Sequence, residues 1–224
     1  MRKKDYKMMH NAAKNKKLVF IDFDNVLIDT RAFGKEWLGA FISCGVSPED
    51  AQSTYNQAKA TRISYDFNQH VDILKEKYPS LDLVWLEKQL DAVRSLSHRF
   101  VFTDVVSSFE QIADRGIFEL ITSGAENHQP GKIHASGLAS HFNHIHLVPP
   151  GVKKSDAIRR CLPFLGTESF IFIDDLKENI DDVKSAFPNS CAIQLLRFED
   201  QERSDIADAH VKNLYDIISW LDEK

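Results

Sequence analysis

Two aspartates separated by a single residue, Asp22 and Asp24, follow an apolar run near the start of the chain. The run, Leu18–Ile21, is bounded by Lys16 and Lys17 and is typical of a short buried strand in a parallel sheet. Chemistry in open α/β sheets takes place at the carboxyl ends of the strands, where both acids lie. Taken alone, this pair fits a catalytic site and a solvated turn equally well.

Polar side chains also follow three later strand-like segments, and these are Thr122 and Ser123, Lys153 and Lys154, and Asp174 and Asp175. The carboxyl ends of parallel strands face one rim, so we expect all these groups to converge in a single crevice. Several carboxylates cannot stay ionised close together without a cation, because like charges raise each other's pKa. Mg²⁺ prefers oxygen ligands and suits a site that also binds a phosphate, whose other oxygens a hydroxyl and a lysine would hold.

The elements that would position these groups alternate between strand and helix. Short alternating segments predict an α/β fold with a doubly wound, Rossmann-like parallel sheet. Between the first and second strands, apolar residues recur at helical spacing, which predicts a small all-helical cap inserted into the core. We expect residues 1–29 and 101–224 to form the α/β core domain and residues 30–100 to form the helical cap domain.

The composition narrows the function classes. A net charge of −5, from 28 basic and 33 acidic residues, argues against a nucleic-acid-binding protein. No apolar run approaches the ~20 residues of a membrane span, and no signal-peptide pattern follows the basic N-terminus. The three scattered cysteines indicate a reducing compartment. We therefore expect a cytoplasmic protein that acts on a small molecule, without a nucleic-acid or membrane partner.

The cysteines and two of the histidines are interpreted as structural rather than reactive residues. Cys44, Cys161 and Cys191 are interpreted as small core residues, because none lies in a recognisable His-paired motif. His144 and His146 alternate onto one face of the predicted third strand and could in principle bind a metal. Since no acidic residue or cysteine adjoins them in the sequence, we favour edge-of-sheet or surface histidines.

The order of these motifs resembles the haloacid dehalogenase (HAD) superfamily, whose largest group is Mg²⁺-dependent phosphatases. Residues 22–27 fit the family's Asp-x-Asp-x-(Thr/Val)-Leu motif, and the strand-end Thr122 fits the second motif. A lysine before a helix fits the third, and Asp174-Asp175 with Asn179 fits the fourth. Segment 129–133, followed by 136–138 and Phe142, also looks like family sequence. The resemblance covers the strand-rich parts of the chain.

This resemblance implies a role for each residue that matches a motif. Asp22 would be the nucleophile that forms an aspartyl-phosphate, and Asp24 would be the general acid and then the base. Mg²⁺ would be bound by the Asp22 carboxylate, the Asp24 backbone carbonyl and Asp174, with Asp175 as a direct or water-mediated ligand. Thr122 and a lysine would bind the transferring phosphoryl group.

Two positions have competing candidates. Lys154 is favoured over Lys153 as the phosphate-binding lysine, because its spacing to Ile158, which we expect to be buried, fits the start of a helix better. Ser123 is a second candidate beside Thr122 for the phosphate-binding hydroxyl.

Asp24 bears on the choice of reaction within the family. A departing halide needs no proton whereas an alkoxide does, and the dehalogenase members of the family lack this second aspartate. We therefore expect a Mg²⁺-dependent phosphatase acting on a small phosphorylated metabolite. A phosphomutase of the same superfamily and a non-catalytic phosphoryl-binding or signalling relative are the alternatives.

Overall fold

The computed structural model describes residues 16–60, 65, 67–124, 128–165 and 169–222. Within these ranges six strands form one parallel sheet in the order β3-β2-β1-β4-β5-β6. The strands are β1 (Lys17–Ile21), β2 (Gly116–Ser123), β3 (His144–Val148), β4 (Ile171–Asp174), β5 (Cys191–Leu195) and β6 (Ala209–Val211). This architecture confirms the predicted α/β fold, to which β6 adds a strand that the sequence pattern did not reveal.

Nine α-helices lie in the described part of the chain. They are α1 (Thr30–Ser43), α2 (Pro48–Ala60), α3 (Phe67–Lys77), α4 (Leu83–Ser95), α5 (Val105–Ile112), α6 (Gln129–Ala135), α7 (Lys154–Leu165), α8 (Lys177–Ala186) and α9 (Ile218–Asp222). None of these helices is both long enough and apolar enough to cross a membrane.

Strand β1 lies in the middle of the sheet and is buried on both faces. Val19 and Ile21 contribute to the apolar cluster on one face, and Leu18 and Phe20 contribute to the cluster on the other. Side chains alternate between the faces of a strand, so a central parallel strand needs an unbroken apolar run. Because β1 pairs with both β2 and β4, its carboxyl end lies between theirs.

Helices α1–α4 form a helical unit with an apolar cluster of its own. The Asp29 carboxylate accepts the N–H of Ala32 and caps α1, and the Ser47 hydroxyl accepts the N–H of Asp50 and caps α2. The cluster inside the unit contains Phe33, Trp37, Phe41, Leu74, Leu86 and Leu90. The unit therefore has its own hydrophobic core, separate from the two that cover the sheet.

The chain leaves the sheet for the helical unit and returns at neighbouring positions. Ile28 and Val101 form an antiparallel bridge, and the N–H of Asp29 donates to the Phe100 carbonyl at 2.7 Å. The outgoing and returning segments are thus paired with each other where the chain enters and leaves the helical unit.

Candidate active site

Three buried aspartates meet at the carboxyl ends of β1 and β4. Asp22, Asp174 and Asp175 each offer a carboxylate oxygen, and these oxygens lie within 4.8 Å of one another. They converge because β1 and β4 are adjacent, and the N–H of Asp22 extends their pairing by donating to the Ile173 carbonyl at 2.9 Å. We call these three side chains the carboxylate cluster.

Lys154 is the cation that contacts this cluster. Its side chain is 2% exposed, and Nζ donates to Asp22 Oδ1 at 2.5 Å and to Asp174 Oδ2 at 2.7 Å. Lys153 lies outside the cluster, with a side chain that is 71% exposed and 3.2 Å from Asp182. The structure therefore places the favoured lysine at the start of α7 against the cluster and its competitor at the surface.

The orientation of the β4 aspartates is fixed by further hydrogen bonds. Asp174 Oδ1 accepts the N–H of Leu176 at 2.9 Å, and Asn179 Nδ2 donates to both carboxylate oxygens at 3.0 and 3.1 Å. Asp175 Oδ2 accepts Gln201 Nε2 at 3.0 Å. Buried carboxylates need such donors, and these contacts hold the oxygens in place.

The cluster carries more negative charge than its own contacts balance. Burial, reinforced by the neighbouring carboxylates, raises the pKa of Asp22 to about 7 and that of Asp175 to about 8, despite the opposing charge of Lys154. When all three carboxylates are ionised, one ammonium leaves two negative charges unbalanced. A donor set made only of carboxylate oxygens with that charge fits a hard divalent cation such as Mg²⁺.

Asp24 lies in a different environment from Asp22. Its carboxylate accepts hydrogen bonds from the buried Lys132 ammonium, from Gln129 Nε2 at 2.7 Å and from the Thr30 hydroxyl at 2.5 Å. Burial alone would raise the pKa of Asp24, but the charge and hydrogen bond of Lys132 hold it below its usual value. The side chain remains 27% exposed.

The two hydroxyl candidates at the end of β2 lie on different sides of the strand. Thr122 is buried, and its Oγ1 accepts a hydrogen bond from Gln129 Nε2 at 2.9 Å, which connects it to Asp24. Ser123 is exposed, because consecutive side chains on a strand point in opposite directions. The structure therefore brings Thr122 into the Asp24 network and leaves Ser123 outside it.

Three residues of this network were not predicted as site residues from the sequence. Gln129 and Lys132 are three positions apart on α6, so they lie on one face of that helix and reach Asp24 together. Thr30 is the first residue of α1 and connects the helical unit to Asp24. The sequence pattern that could have indicated Gln129 and Lys132 is their helical spacing in the segment that follows the strand-end Thr122.

His144 and His146 lie on β3, an edge strand of the sheet, as expected, but the interpretation that they and Cys161 lack partners needs correction. The buried Glu119 carboxylate contacts His144 Nδ1 at 3.0 Å and His146 Nε2 at 2.7 Å. Cys161 Sγ lies 3.4 Å from His146 Nδ1. Both histidines therefore have an acidic partner, and one cysteine is paired with a histidine, because β2, β3 and α7 bring together residues that are distant in the sequence.

No protein-family model and no curated protein sequence matches this chain. Among solved structures, a haloacid dehalogenase-like hydrolase from Burkholderia xenovorans is similar, with a TM-score of 0.73 and 15% identity over 91% of this chain and 96% of that one. A HAD phosphatase from Thermococcus onnurineus has a TM-score of 0.64 and 17% identity over 92% and 98% of the two chains. The magnesium-bound HAD-hydrolase YfnB from Bacillus subtilis has a TM-score of 0.68 and 13% identity over 94% and 100%.

These likenesses establish the fold. The chain has the architecture of HAD-like hydrolases along nearly its whole length, as the sequence motifs implied. Dehalogenases share this architecture, so the fold alone does not separate dehalogenation from phosphate chemistry. The choice between these reactions depends on the side chains of the site.

Proposed function

We propose that this protein is a Mg²⁺-dependent phosphatase of the HAD superfamily that hydrolyses a small phosphorylated metabolite in the cytoplasm, without a nucleic-acid or membrane partner. The observation that carries the proposal is the ion pair between Asp22 and the buried Lys154, in which Asp22 belongs to the carboxylate cluster. Asp22 is also only two residues from Asp24 in the sequence. The proposed nucleophile, its cation and the proposed proton-transfer group thus lie on one rim of the sheet.

The carboxylate cluster would hold the metal through the side chains of Asp22, Asp174 and Asp175. A bound Mg²⁺ supplies charge that neutralises the cluster and polarises a phosphoryl oxygen. The hydrogen bonds from Leu176 and Asn179 to Asp174 hold this ligand ready without a change of rotamer.

Asp22 would attack the phosphorus atom through a carboxylate oxygen. The bond from phosphorus to the leaving oxygen breaks, and an aspartyl-phosphate forms on Asp22. The ammonium of Lys154, 2.5 Å from Asp22 Oδ1, orients the nucleophile and stabilises negative charge on the transferring group.

Asp24 would deliver the proton that the leaving oxygen needs, and would then accept one from the attacking water. In the structure the charge and hydrogen bond of Lys132 hold the pKa of Asp24 below its usual value, so this carboxyl starts ionised. The negative charge of a bound phosphate raises the pKa of a nearby carboxyl and attracts Lys132 away from Asp24. Substrate binding would therefore raise the pKa of Asp24 and favour its protonated form, which is the form that acts as the general acid.

A screen of phosphorylated metabolites with Mg²⁺ tests the proposal, with free phosphate as the readout. We expect Asp22→Asn to lower turnover on every substrate found by at least about a thousandfold. Asp205→Asn, at an exposed position, is the matched control that should keep full activity. Wild-type phosphate release by Asp22→Asn would show that the assigned nucleophile is wrong, and isomerisation without phosphate release would indicate a mutase.

Asp24→Asn tests the choice of phosphate ester chemistry. A good leaving group such as an aryl oxide departs without a proton, whereas an alkoxide requires one. We therefore expect this variant to lose far more activity on alkyl phosphates than on aryl phosphates. An equal loss on both would contradict the role of Asp24 as the general acid.

A further inference from the structure

A cysteine, a histidine and a glutamate form a connected trio away from the carboxylate cluster. Cys161 Sγ lies 3.4 Å from His146 Nδ1, and the other ring nitrogen of His146, Nε2, lies 2.7 Å from Glu119 Oε2. Glu119 is fully buried, with an exposed fraction of 0%. We call Cys161, His146 and Glu119 the thiol triad.

Three regular elements hold the triad in place. Glu119 projects from β2 and His146 from the adjacent β3, while Cys161 lies on α7, which packs against this face of the sheet. Glu119 also contacts His144 Nδ1 at 3.0 Å, so the buried carboxylate has partners on both sides. Groups fixed on strands and helices keep their relative orientation better than groups on loops.

We propose that Cys161 is a reactive thiol and a site of covalent modification by low-molecular-weight disulfides, with His146 as its base and Glu119 as the residue that positions His146. A nucleophile in contact with a base, which a third group orients, is the arrangement that activates cysteine in enzymes. Cys161 is half-buried rather than enclosed in the core.

The electrostatics of the triad agree with its geometry. Burial alone lowers the pKa of His146, but the hydrogen bonds to Cys161 and Glu119 raise it to about 9. The raised pKa of His146 means that its Nδ1 accepts a proton more readily than an ordinary imidazole, as a base beside the sulfur must. At Cys44, by contrast, burial raises the pKa of the thiol and disfavours its thiolate.

The modification is a thiol–disulfide exchange. The Cys161 thiol gives its proton to His146 Nδ1, and the thiolate attacks one sulfur of the disulfide. The disulfide bond of the reagent breaks, a new bond joins Cys161 to one half, and the other half leaves as a thiolate. That thiolate takes the proton from His146, so the ring returns to its starting state.

The first test compares the three cysteines of the native chain in one experiment. The folded protein is treated with glutathione disulfide, or in parallel with iodoacetamide, and each cysteine is quantified by mass spectrometry of its peptide. We expect Cys161 to react about tenfold or more faster than Cys44 and Cys191, and also faster than Cys161 in the urea-unfolded chain. A folded-state rate for Cys161 no higher than its unfolded-state rate would overturn the proposal.

A pair of histidine variants tests the base. His146→Gln removes the group next to the sulfur, whereas His144→Gln removes the other partner of Glu119 and leaves the Cys161 contact intact. We expect the reactivity of Cys161 to fall to the unfolded-state rate in the first variant and to stay within about twofold of wild type in the second. Equal reactivity in both variants would overturn the assignment of His146. If His146→Gln does not fold, the folded and unfolded rates of the wild-type chain decide alone.

Glu119→Gln tests the positioning role through a readout other than stability. Nitrogen NMR of the His146 ring reports which ring nitrogen carries the proton. We expect wild type to show Nε2 protonated and hydrogen-bonded, and the variant to show a lower Nε2-protonated fraction together with slower Cys161 alkylation. An unchanged His146 spectrum in a folded variant would show that Glu119 does not orient the ring.

Discussion

Asp22 and Asp24 are the same residue type, two positions apart in the sequence, yet their surroundings shift their pKa values in opposite directions. Burial raises the pKa of Asp22 to about 7, while Lys132 holds the pKa of Asp24 below its usual value. The difference follows from how the lysines are shared. Lys154 forms ion pairs with both Asp22 and Asp174. Among the described residues, Lys132 forms an ion pair with Asp24 alone.

This contrast separates a region with surplus negative charge from one that is balanced. Under the proposed function, the surplus region would take up a divalent cation and present Asp22 as the nucleophile, whereas the balanced region would store and return a proton. Two carboxylates with the same intrinsic pKa thus differ in charge balance, because each contacts a different buried lysine. Changing either lysine, or the number of acids, should alter the two regions separately.

Among the changes that separate these two regions, Lys154→Met is expected to have the largest effect. It removes the only ammonium that contacts the cluster in the described chain, leaving Asp22 and Asp174 without their shared donor. We expect phosphate turnover to fall about a hundredfold to a thousandfold. Lys153→Met, at the adjacent exposed position, should keep wild-type kcat. Equal losses in the two variants would abolish the distinction between these lysines.

Asp175→Asn should weaken metal binding by a smaller factor. Removing one of three carboxylates lowers the surplus charge but keeps Asp22 and Asp174 in contact with Lys154. We expect the Mg²⁺ concentration for half-maximal activity to rise about tenfold to a hundredfold, with kcat at saturating Mg²⁺ much less affected. Asp205→Asn is the exposed control. A Mg²⁺ requirement identical to that of wild type would remove Asp175 from the metal site.

Lys132→Met should change the pH profile more than the maximal rate. Without the lysine the pKa of Asp24 rises, so Asp24 keeps the proton of a general acid to higher pH. We expect kcat to fall only about tenfold and the basic limb of its pH profile to move upward. A basic limb that stays in place would show that Lys132 does not control the acidity of Asp24.

The smallest effect concerns stability in the absence of divalent cations. The folded-state pKa values of Asp22 and Asp175, about 7 and about 8, exceed the ordinary value of 3.8. The folded protein therefore holds protons that the unfolded chain releases, so this contribution to stability is lost as pH rises through 7 and 8. We expect the metal-free melting temperature to fall by a few degrees between about pH 6 and 8. Mg²⁺ should reverse most of that loss, and Asp175→Asn should reduce it.

The sequence predicted the parts of the site that follow strands directly. The apolar run of β1 and the acids after it are local features, and parallel pairing then brings Asp22 and Asp174 to one rim. The choice of Lys154 over Lys153 also followed from local helix periodicity, and the structure places these two lysines accordingly.

Contacts between elements that are distant in sequence could not be predicted in this way. Lys132 reaches Asp24 only because α6 returns across the end of β1. Cys161 contacts His146 because α7 packs on β3. The hydrophobic periodicity of a sequence predicts that a residue faces inward, but it does not identify the residue that it contacts. Glu119, a charged residue inside the apolar run of β2, was the one sequence signal that a polar partner had to lie within reach.

The bridge between Ile28 and Val101 has a consequence for how such a protein can be rebuilt. The segment that forms the helical unit starts and ends at adjacent positions, so it connects to the sheet as a short turn would. The entropic cost of closing such a loop rises only slowly with its length. We expect that a brief linker joining these two residues leaves a sheet that still folds, and that a foreign module grafted there is tolerated. This junction is therefore a point at which a new module can be inserted above the carboxylate cluster, with loss of the hydrogen bond from Thr30 to Asp24.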